Sequence, residues 1–161
     1  MTLRHRADAV QRASAYLHPG RLLTSTEPCA VTTILGSCVS VCLFDEERGA
    51  GGINHYLLPH RTAGAAAASA RFGGPAIRLL VDALVAHGCR KADLRAKVFG
   101  GACVIDAFHE SDTPIGTQNA RLALELLAAE GIDVVARDLG GARGRKLVFQ
   151  TDDGAARVAV L

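Results

Sequence analysis

Cysteine and histidine are the side chains of this sequence best suited to catalysis, and one cysteine stands out by its position. Cys38 follows Gly36 and Ser37 at the start of a strand-like stretch. A glycine there permits a tight turn that lifts the next side chain out of a sheet, and it leaves backbone N–H groups free to face an oxyanion. The position favours Cys38 as a nucleophile. Free cysteines are otherwise usually small buried hydrophobic residues, and we interpret the other four in that way: Cys29, Cys42, Cys89 and Cys103.

His55 is the histidine whose surroundings would let it serve such a nucleophile. A histidine in an apolar strand is more often a satisfied core residue than a catalyst. However, the stretches that hold Cys38 and His55 are joined by a short polar turn at residues 45–49, so they can pair antiparallel. Side chains on paired strands meet when they share a face. His55 would then take the thiol proton and stabilise a thiolate, the reactive form of cysteine.

A Cys–His pair needs a third group that orients the other imidazole nitrogen. Asn54 is adjacent to His55 and would point to the opposite face of its strand. Thr32 and Thr33 lie on the strand before Cys38. The hydroxyl of either threonine, or a carbonyl near it, would suit this role, although plain β propensity also explains both.

Two other chemistries receive less support. The sequence has no C-x-x-C, H-x-x-x-H or H-E-x-x-H spacing, so we expect no structural zinc. The stretch at residues 140–146, Gly-Gly-Ala-Arg-Gly-Arg-Lys, has the composition of a phosphate-binding loop but lacks the P-loop spacing. It predicts a loop that needs positive φ, or alternatively a basic rim that steers an acidic partner surface.

The pattern of apolar residues predicts a layered α/β unit with about seven strands and two helices. Alternation over residues 38–44 places Val39, Val41 and Leu43 on one face of a strand. Further strands are expected at residues 31–35, 50–58, 96–99, 132–137, 145–150 and 157–161. Helices are expected from Pro75 to a stop at Gly88 and over residues 117–130, with loops at residues 61–74 and 104–114.

Composition restricts the class of protein. The 161 residues are 49% apolar and 21% charged, which excludes a disordered chain. A net charge of +2 and an aromatic content of 4% argue against nucleic-acid binding. The sequence shows no signal peptide and no apolar run long enough for membrane insertion, so we expect a cytoplasmic protein. Residues 1–20 predict a loosely ordered segment, and residues 21–161 a single domain.

Taken together, these motifs resemble the CheD family of chemoreceptor glutamine deamidases. The resemblance rests on Leu-Gly-Ser-Cys at residues 35–38 and on Asn-His-Tyr-Leu-Leu-Pro at residues 54–59. Later segments agree with it, including Phe-Gly-Gly-Ala at residues 99–102, Ile-Gly at 115–116 with Asn119, and Asp-Leu-Gly-Gly at 138–141.

The resemblance implies a fold, a site and a reaction. The fold would be α/β (α+β), a single domain of packed mixed β-sheets flanked by helices, as in the deamidating-toxin cysteine hydrolases. Cys38 would be the nucleophile, His55 the general base and Thr32 the residue that orients His55. The reaction would hydrolyse glutamine amides to glutamate on the cytoplasmic helical domain of chemoreceptors, with no cofactor. A CheC-type phosphatase is a further candidate partner, and the alternatives are a weakly catalytic adaptor of that phosphatase or a receptor methylesterase.

Overall fold

The computed structural model describes residues 9–104 and 113–161 of the chain. Strands and helices of these residues are, in chain order, β1 (Ala13–Tyr16), β2 (Leu22–Ser25), β3 (Cys29–Leu35), β4 (Val39–Asp45), β5 (Ala50–Asn54), α1 (Gly73–Ala86), β6 (Arg95–Gly100), α2 (Ile115–Ala129), β7 (Asp133–Leu139), β8 (Arg145–Gln150) and β9 (Ala156–Val160), with a 3-10 turn at Lys91–Asp93. The loop expected at residues 104–114 falls mostly on residues 105–112, which lie outside the described part.

Two mixed sheets and two helices form three layers. The five-stranded sheet has the order β2-β5-β4-β6-β7, and the four-stranded sheet has the order β1-β3-β8-β9. Pairing is antiparallel except for β1 with β3 and β6 with β7. The helices pack on one face of the five-stranded sheet and the four-stranded sheet covers the other. This architecture confirms the expected α+β fold of packed mixed sheets flanked by helices.

Strand β4 lies at the centre of the molecule and is buried along its whole length. Val39, Val41 and Leu43 point into the core under the helices, whereas Cys42 and Phe44 point into the core between the sheets. This is the predicted alternation, and apolar side chains on both faces bury β4 under two layers. Full burial of each valine or leucine is worth about 1.5–3 kcal/mol, so β4 anchors both cores.

Strand β5 is shorter than the predicted stretch of residues 50–58. It ends at Asn54, and beyond it Tyr56 and Leu58 make only isolated bridges. Strand β5 ends here because a side chain replaces a backbone group in the pairing. Oδ1 of the buried Asn54 accepts the N–H of Val41 at 2.8 Å, where a backbone carbonyl of β5 would otherwise accept it. The backbone of His55 then bonds to Arg21 and Gly20 instead.

The expectation of a loosely ordered segment over residues 1–20 is wrong for the part that the structure describes. Strand β1 pairs in parallel with β3, and Leu17 is buried in the core between the sheets. The edge of β3 offers this segment backbone partners that a local sequence pattern cannot show. Residues 1–8 lie outside the described residues.

The two helices occur where the sequence predicts them. Pro75 lies in the first turn of α1, and Gly88 follows its end with φ +101°, a conformation that favours glycine. Residues 61–72 form turns rather than a helix through the alanine run. Helix α2 begins two residues before the predicted start. In the described ranges, neither helix is long and apolar enough to span a membrane.

Candidate functional site

Cys38 lies in the turn between β3 and β4, and its side chain is half-buried. The stretch that follows β6 holds this turn, since the N–H of Gly101 donates to the Cys38 carbonyl and that of Ala102 donates to the Gly36 carbonyl, both at 2.9 Å. Gly100 and Gly101 have φ of +108° and +68°, and a Cβ on Gly100 would collide with the Cys38 carbonyl. Gly100 therefore lets the end of β6 approach the cysteine turn closely, whereas Gly101 lets α2 approach, since a Cβ there would lie 2.7 Å from the Gly116 carbonyl oxygen.

His55 lies on the same sheet face as Cys38. Cys42 pairs with Ile53, and Val39 bridges Tyr56 in the same register. This register places His55 opposite Ser40, which makes Cys38 its diagonal neighbour. Such diagonal neighbours have Cα atoms about 7–8 Å apart, within reach of long side chains. The side chains of Cys38 and Ile53 both contribute to the core between the sheets, so the cysteine and the histidine face the second sheet together.

The residue that contacts the imidazole is Thr33, not Thr32. The Thr33 hydroxyl lies 2.7 Å from Nδ1 of His55, and both residues are buried. Thr32 was expected to orient His55, but its side chain alternates to the outer face of the four-stranded sheet. Val31 and Leu35 share the face of Thr33 and are fully buried, but Ile34 makes the opposite face apolar as well, so the sequence alone does not select between the two threonines.

Hydrogen bonding assigns the histidine tautomer. The Thr33 hydroxyl donates its single proton to the Leu17 carbonyl at 2.8 Å. It can therefore only accept from the imidazole, so Nδ1 carries the proton and Nε2 holds the lone pair. Leu17 belongs to the segment that was expected to be loosely attached. Its carbonyl is a part of the site that sequence reasoning missed, and no residue type could signal it because it is a backbone group.

Burial favours the neutral form of both the cysteine and the histidine. Loss of solvation lowers the pKa of His55 from 6.5 to about 4. Burial also raises the pKa of the Cys38 thiol, and a hydrogen bond from the Cys38 backbone offsets this only in part. Both shifts act against the expected ion pair, in which His55 keeps Cys38 ionised at rest. The arrangement instead presents a thiol and a neutral imidazole, so the thiol must lose its proton as it attacks.

The remaining candidate groups have structural roles. Cys42 is fully buried, and burial raises the pKa of its thiol well above the ordinary value. Gly140 and Gly141 have positive φ, as the loop interpretation requires. Arg145 is almost fully buried and donates to the Asp138 carboxylate and to the Asp138 and Gly140 carbonyls. Among the described residues, no three His, Cys, Asp or Glu side chains gather to hold a metal ion.

Fold and site together define a layered α+β protein that presents a cysteine and a threonine-bound histidine on one sheet face, the side-chain set of a thiol hydrolase. The family model described as "CheD chemotactic sensory transduction" matches residues 57–160. This chain belongs to the CheD family.

Curated relatives support this membership over nearly the whole chain. "Probable chemoreceptor glutamine deamidase CheD 1" of Anaeromyxobacter dehalogenans (strain 2CP-C) is 52% identical over 150 residues, which cover 93% of this chain and 86% of that protein. "Probable chemoreceptor glutamine deamidase CheD" of Rhodospirillum rubrum is 42% identical over 146 residues, which cover 91% of this chain and 81% of that protein.

Among solved structures, the crystal structure of Bacillus licheniformis hypothetical protein YfiH is similar, with a TM-score of 0.47 and 19% identity. The similarity covers 75% of this chain and 49% of that one, and it is too distant to bear on function.

Proposed function

We propose that this protein is a cytoplasmic cysteine amidohydrolase that converts glutamine side chains of chemoreceptors to glutamate and so adjusts chemotaxis signalling. The substrate is inferred from the names of the relatives above. The observation that supports the chemistry is the Leu17–Thr33–His55 hydrogen-bond chain on the sheet face of Cys38. It leaves an unprotonated Nε2 on the sheet face that also carries the half-buried Cys38 thiol, and general-base catalysis needs these two groups on one face.

In the first half of the reaction, Nε2 of His55 takes the proton of the Cys38 thiol as the sulfur attacks the glutamine Cδ. The amide oxygen becomes an oxyanion, which backbone N–H groups at Cys38 stabilise. The tetrahedral intermediate then collapses: the C–N bond breaks, His55 returns its proton to the nitrogen, and ammonia leaves. A thioester between Cys38 and the substrate remains.

In the second half, water resolves the thioester. His55 takes a proton from the water as its oxygen attacks the thioester carbonyl, and it returns that proton to the departing sulfur. The products are glutamate on the receptor and the regenerated thiol, and ammonia is the only small product. Neutral His55 serves both halves because its pKa of about 4 keeps it unprotonated at pH 7. Thr33 keeps Nδ1 protonated throughout and so leaves Nε2 as the basic atom.

The reaction exchanges an uncharged amide for a carboxylate on the helical cytoplasmic domain of the receptor. A new negative charge on a helical bundle shifts the balance between its signalling states. We include a CheC-type phosphatase as a second partner of the same site. No step needs a cofactor, because the bond making and breaking is complete with the thiol, the imidazole and water.

The test is incubation of the purified protein with a chemoreceptor cytoplasmic fragment, followed by mass spectrometry for conversion of amide to acid and by measurement of released ammonia. We expect conversion by the wild type and none by Cys38→Ala or His55→Ala, each shown by circular dichroism to be folded. Full activity of Cys38→Ala would refute the thiol mechanism. Release of methanol from a methylated fragment, without release of ammonia from the unmethylated one, would make the protein a methylesterase instead. If neither ammonia nor methanol is released, the protein is an adaptor of the phosphatase.

A further inference from the structure

Asn119, in the second turn of α2, joins the two segments that carry Cys38 and His55. Its side chain is fully buried, and Nδ2 donates to the Ser37 carbonyl at 3.0 Å and to the Leu57 carbonyl at 2.9 Å. Ser37 precedes the cysteine, and Leu57 lies two residues after the histidine. One amide group thus connects the nucleophile turn, the histidine segment and a helix.

Both donors of this amide are used, whereas its oxygen is not. Within residues 9–104 and 113–161, Oδ1 of Asn119 is buried without a hydrogen-bond partner. Carbonyls can only accept, so the two contacts require the NH₂ group and determine which way the amide is turned. An unpaired buried acceptor carries a free-energy cost. The two hydrogen bonds to the Ser37 and Leu57 carbonyls are therefore formed at the expense of an unpaired amide oxygen.

The Ser37 contact determines where the Cys38 N–H points. In a planar trans peptide the C=O and the following N–H point in opposite directions. Because Asn119 draws the Ser37 carbonyl towards α2, the N–H of Cys38 is turned away from α2.

The neighbouring peptides are held in the same way. The carbonyls of Gly36 and Cys38 accept the N–H groups of Ala102 and Gly101, so three consecutive carbonyls of the turn are engaged. In the described part of the chain, the amides of Ser37 and Cys38 donate to no backbone carbonyl. These are the two N–H groups that a substrate oxygen beside Cys38 would meet.

We infer that Asn119 is a positioning residue that aims the Cys38 N–H at the oxyanion and holds the His55 segment in register with it. This inference rests on the proposed deamidation, and it names a residue outside the cysteine, histidine and threonine. Its function differs from theirs: it touches no reacting atom and acts through two peptide carbonyls. Of the contacts to the nucleophile turn described above, it is the one made by a side chain, so it can be removed by substitution.

The experiment separates orientation from folding by comparing two reactions of the same sulfur. Deamidation develops an oxyanion, whereas alkylation of Cys38 by iodoacetamide does not. Asn119→Leu keeps the branching of the side chain, with a somewhat larger volume, and removes both donors. We expect kcat for deamidation of a chemoreceptor cytoplasmic fragment to fall about 10–100-fold. KM and the alkylation rate of Cys38, followed by mass spectrometry, should stay close to wild type.

Tyr56→Phe is the matched control. The Tyr56 hydroxyl donates to the Asn119 backbone carbonyl at 2.5 Å, so this variant loses a buried hydrogen bond to the same residue but keeps both Nδ2 contacts. It should lose stability in urea unfolding and retain kcat. If Asn119→Leu does not fold, Asn119→Ala, which removes the amide group without adding volume, is measured in the same way.

Two results would overturn the inference. Deamidation at the wild-type rate in a folded Asn119 variant would show that the contacts are dispensable. A parallel loss of deamidation and alkylation would show that the residue only maintains the structure of the site. Failure of the proposed deamidation would look different, because the wild-type protein itself would then release no ammonia.

Discussion

At the scale of single residues, the two adjacent threonines of β3 have different surroundings despite identical chemistry. Thr33 is fully buried and bonded to His55, whereas Thr32 lies on the outer face of its sheet. A strand turns successive side chains to opposite faces, so only one of the two can reach the imidazole. The same substitution at the two positions therefore tests the contact with His55 directly.

We therefore predict that Thr33→Val lowers kcat for deamidation about 10–100-fold, because the imidazole loses the hydroxyl that fixes its tautomer and orientation. Thr32→Val is the matched control and should retain activity, since it makes the same change one residue away. Both rates would be measured as ammonia release from a receptor fragment. A larger loss in Thr32→Val than in Thr33→Val would contradict the assignment.

The buried imidazole also makes stability depend on pH. The pKa of His55 is lowered from 6.5 to about 4 in the folded state, so the unfolded chain binds the proton more readily. The contribution is fully present above pH 6.5 and is lost as the pH falls towards 4. At about 1.36 kcal/mol per pKa unit, the loss reaches about 3 kcal/mol.

Urea unfolding of the wild type and of His55→Gln at pH 7.5, 5.5 and 4.5 measures this contribution. The wild type should lose more unfolding free energy than the variant as the pH falls, because glutamine does not titrate. Parallel losses in the two proteins would show that other groups cause the acid sensitivity.

At the scale of elements, the approach of α2 to the β6 end decides how tightly the cysteine turn is held. Gly116, in the first turn of α2, lies against the backbone of Gly101 and Ala102, the residues that bond to the cysteine turn. A Cβ on Gly116 would lie 2.6 Å from the Gly101 carbonyl oxygen and nearer still to that of Ala102. Backbone atoms on both sides cannot move aside cheaply.

Gly116→Ala should therefore destabilise the protein by about 1–3 kcal/mol and lower deamidation as α2 is pushed from the turn. Gly74→Ala, in the first turn of α1, is the matched control. Apart from its chain neighbours, nothing lies within 4 Å of a Cβ at Gly74. The gain through the unfolded state is opposed by Pro75, which disfavours helical backbone for an alanine before it, so Gly74→Ala should change stability by less than about 1 kcal/mol. The urea midpoint should fall clearly further for Gly116→Ala than for Gly74→Ala, and a stabilising Gly116→Ala would contradict the packing described.

At the scale of the whole molecule, the two cores divide the three buried cysteines between them. Three are buried, and Cys38 and Cys103 are half-buried. Cys89 lies in the core under the helices, whereas Cys29 and Cys42 lie in the core between the sheets. Release of either set to solvent therefore reports the opening of a different core.

We predict that iodoacetamide modifies Cys38 and Cys103 in the native protein and that Cys29, Cys42 and Cys89 react only on unfolding. Mass spectrometry of the labelled protein across a urea series gives the order of labelling. The three protected thiols should appear together with the loss of circular dichroism if both cores unfold as one unit. Labelling of Cys42 in the folded protein would contradict its complete burial.

Local patterns were sufficient for much of this fold. The alternation over β4, the glycine before Cys38, the presence of α1 and α2 to within two residues of their starts, and the antiparallel pairing of β4 with β5 all follow from neighbours along the chain. These features depend on side-chain spacing and on short connections, which the sequence displays directly.

Contacts between distant segments decided the rest. Val31, Ile34 and Leu35 put apolar residues on both faces of β3, so the spacing alone leaves open whether Thr32 or Thr33 faces inward; the packing of the two sheets selects Thr33. The parallel pairing of β1 with β3 and the reach of Asn119 to both site segments are likewise nonlocal. The sequence by itself determined which cysteine and which histidine form the candidate site. Only the tertiary structure decided which backbone and side-chain groups orient them, because a hydrogen bond between residues far apart in the chain produces no periodic pattern in the sequence.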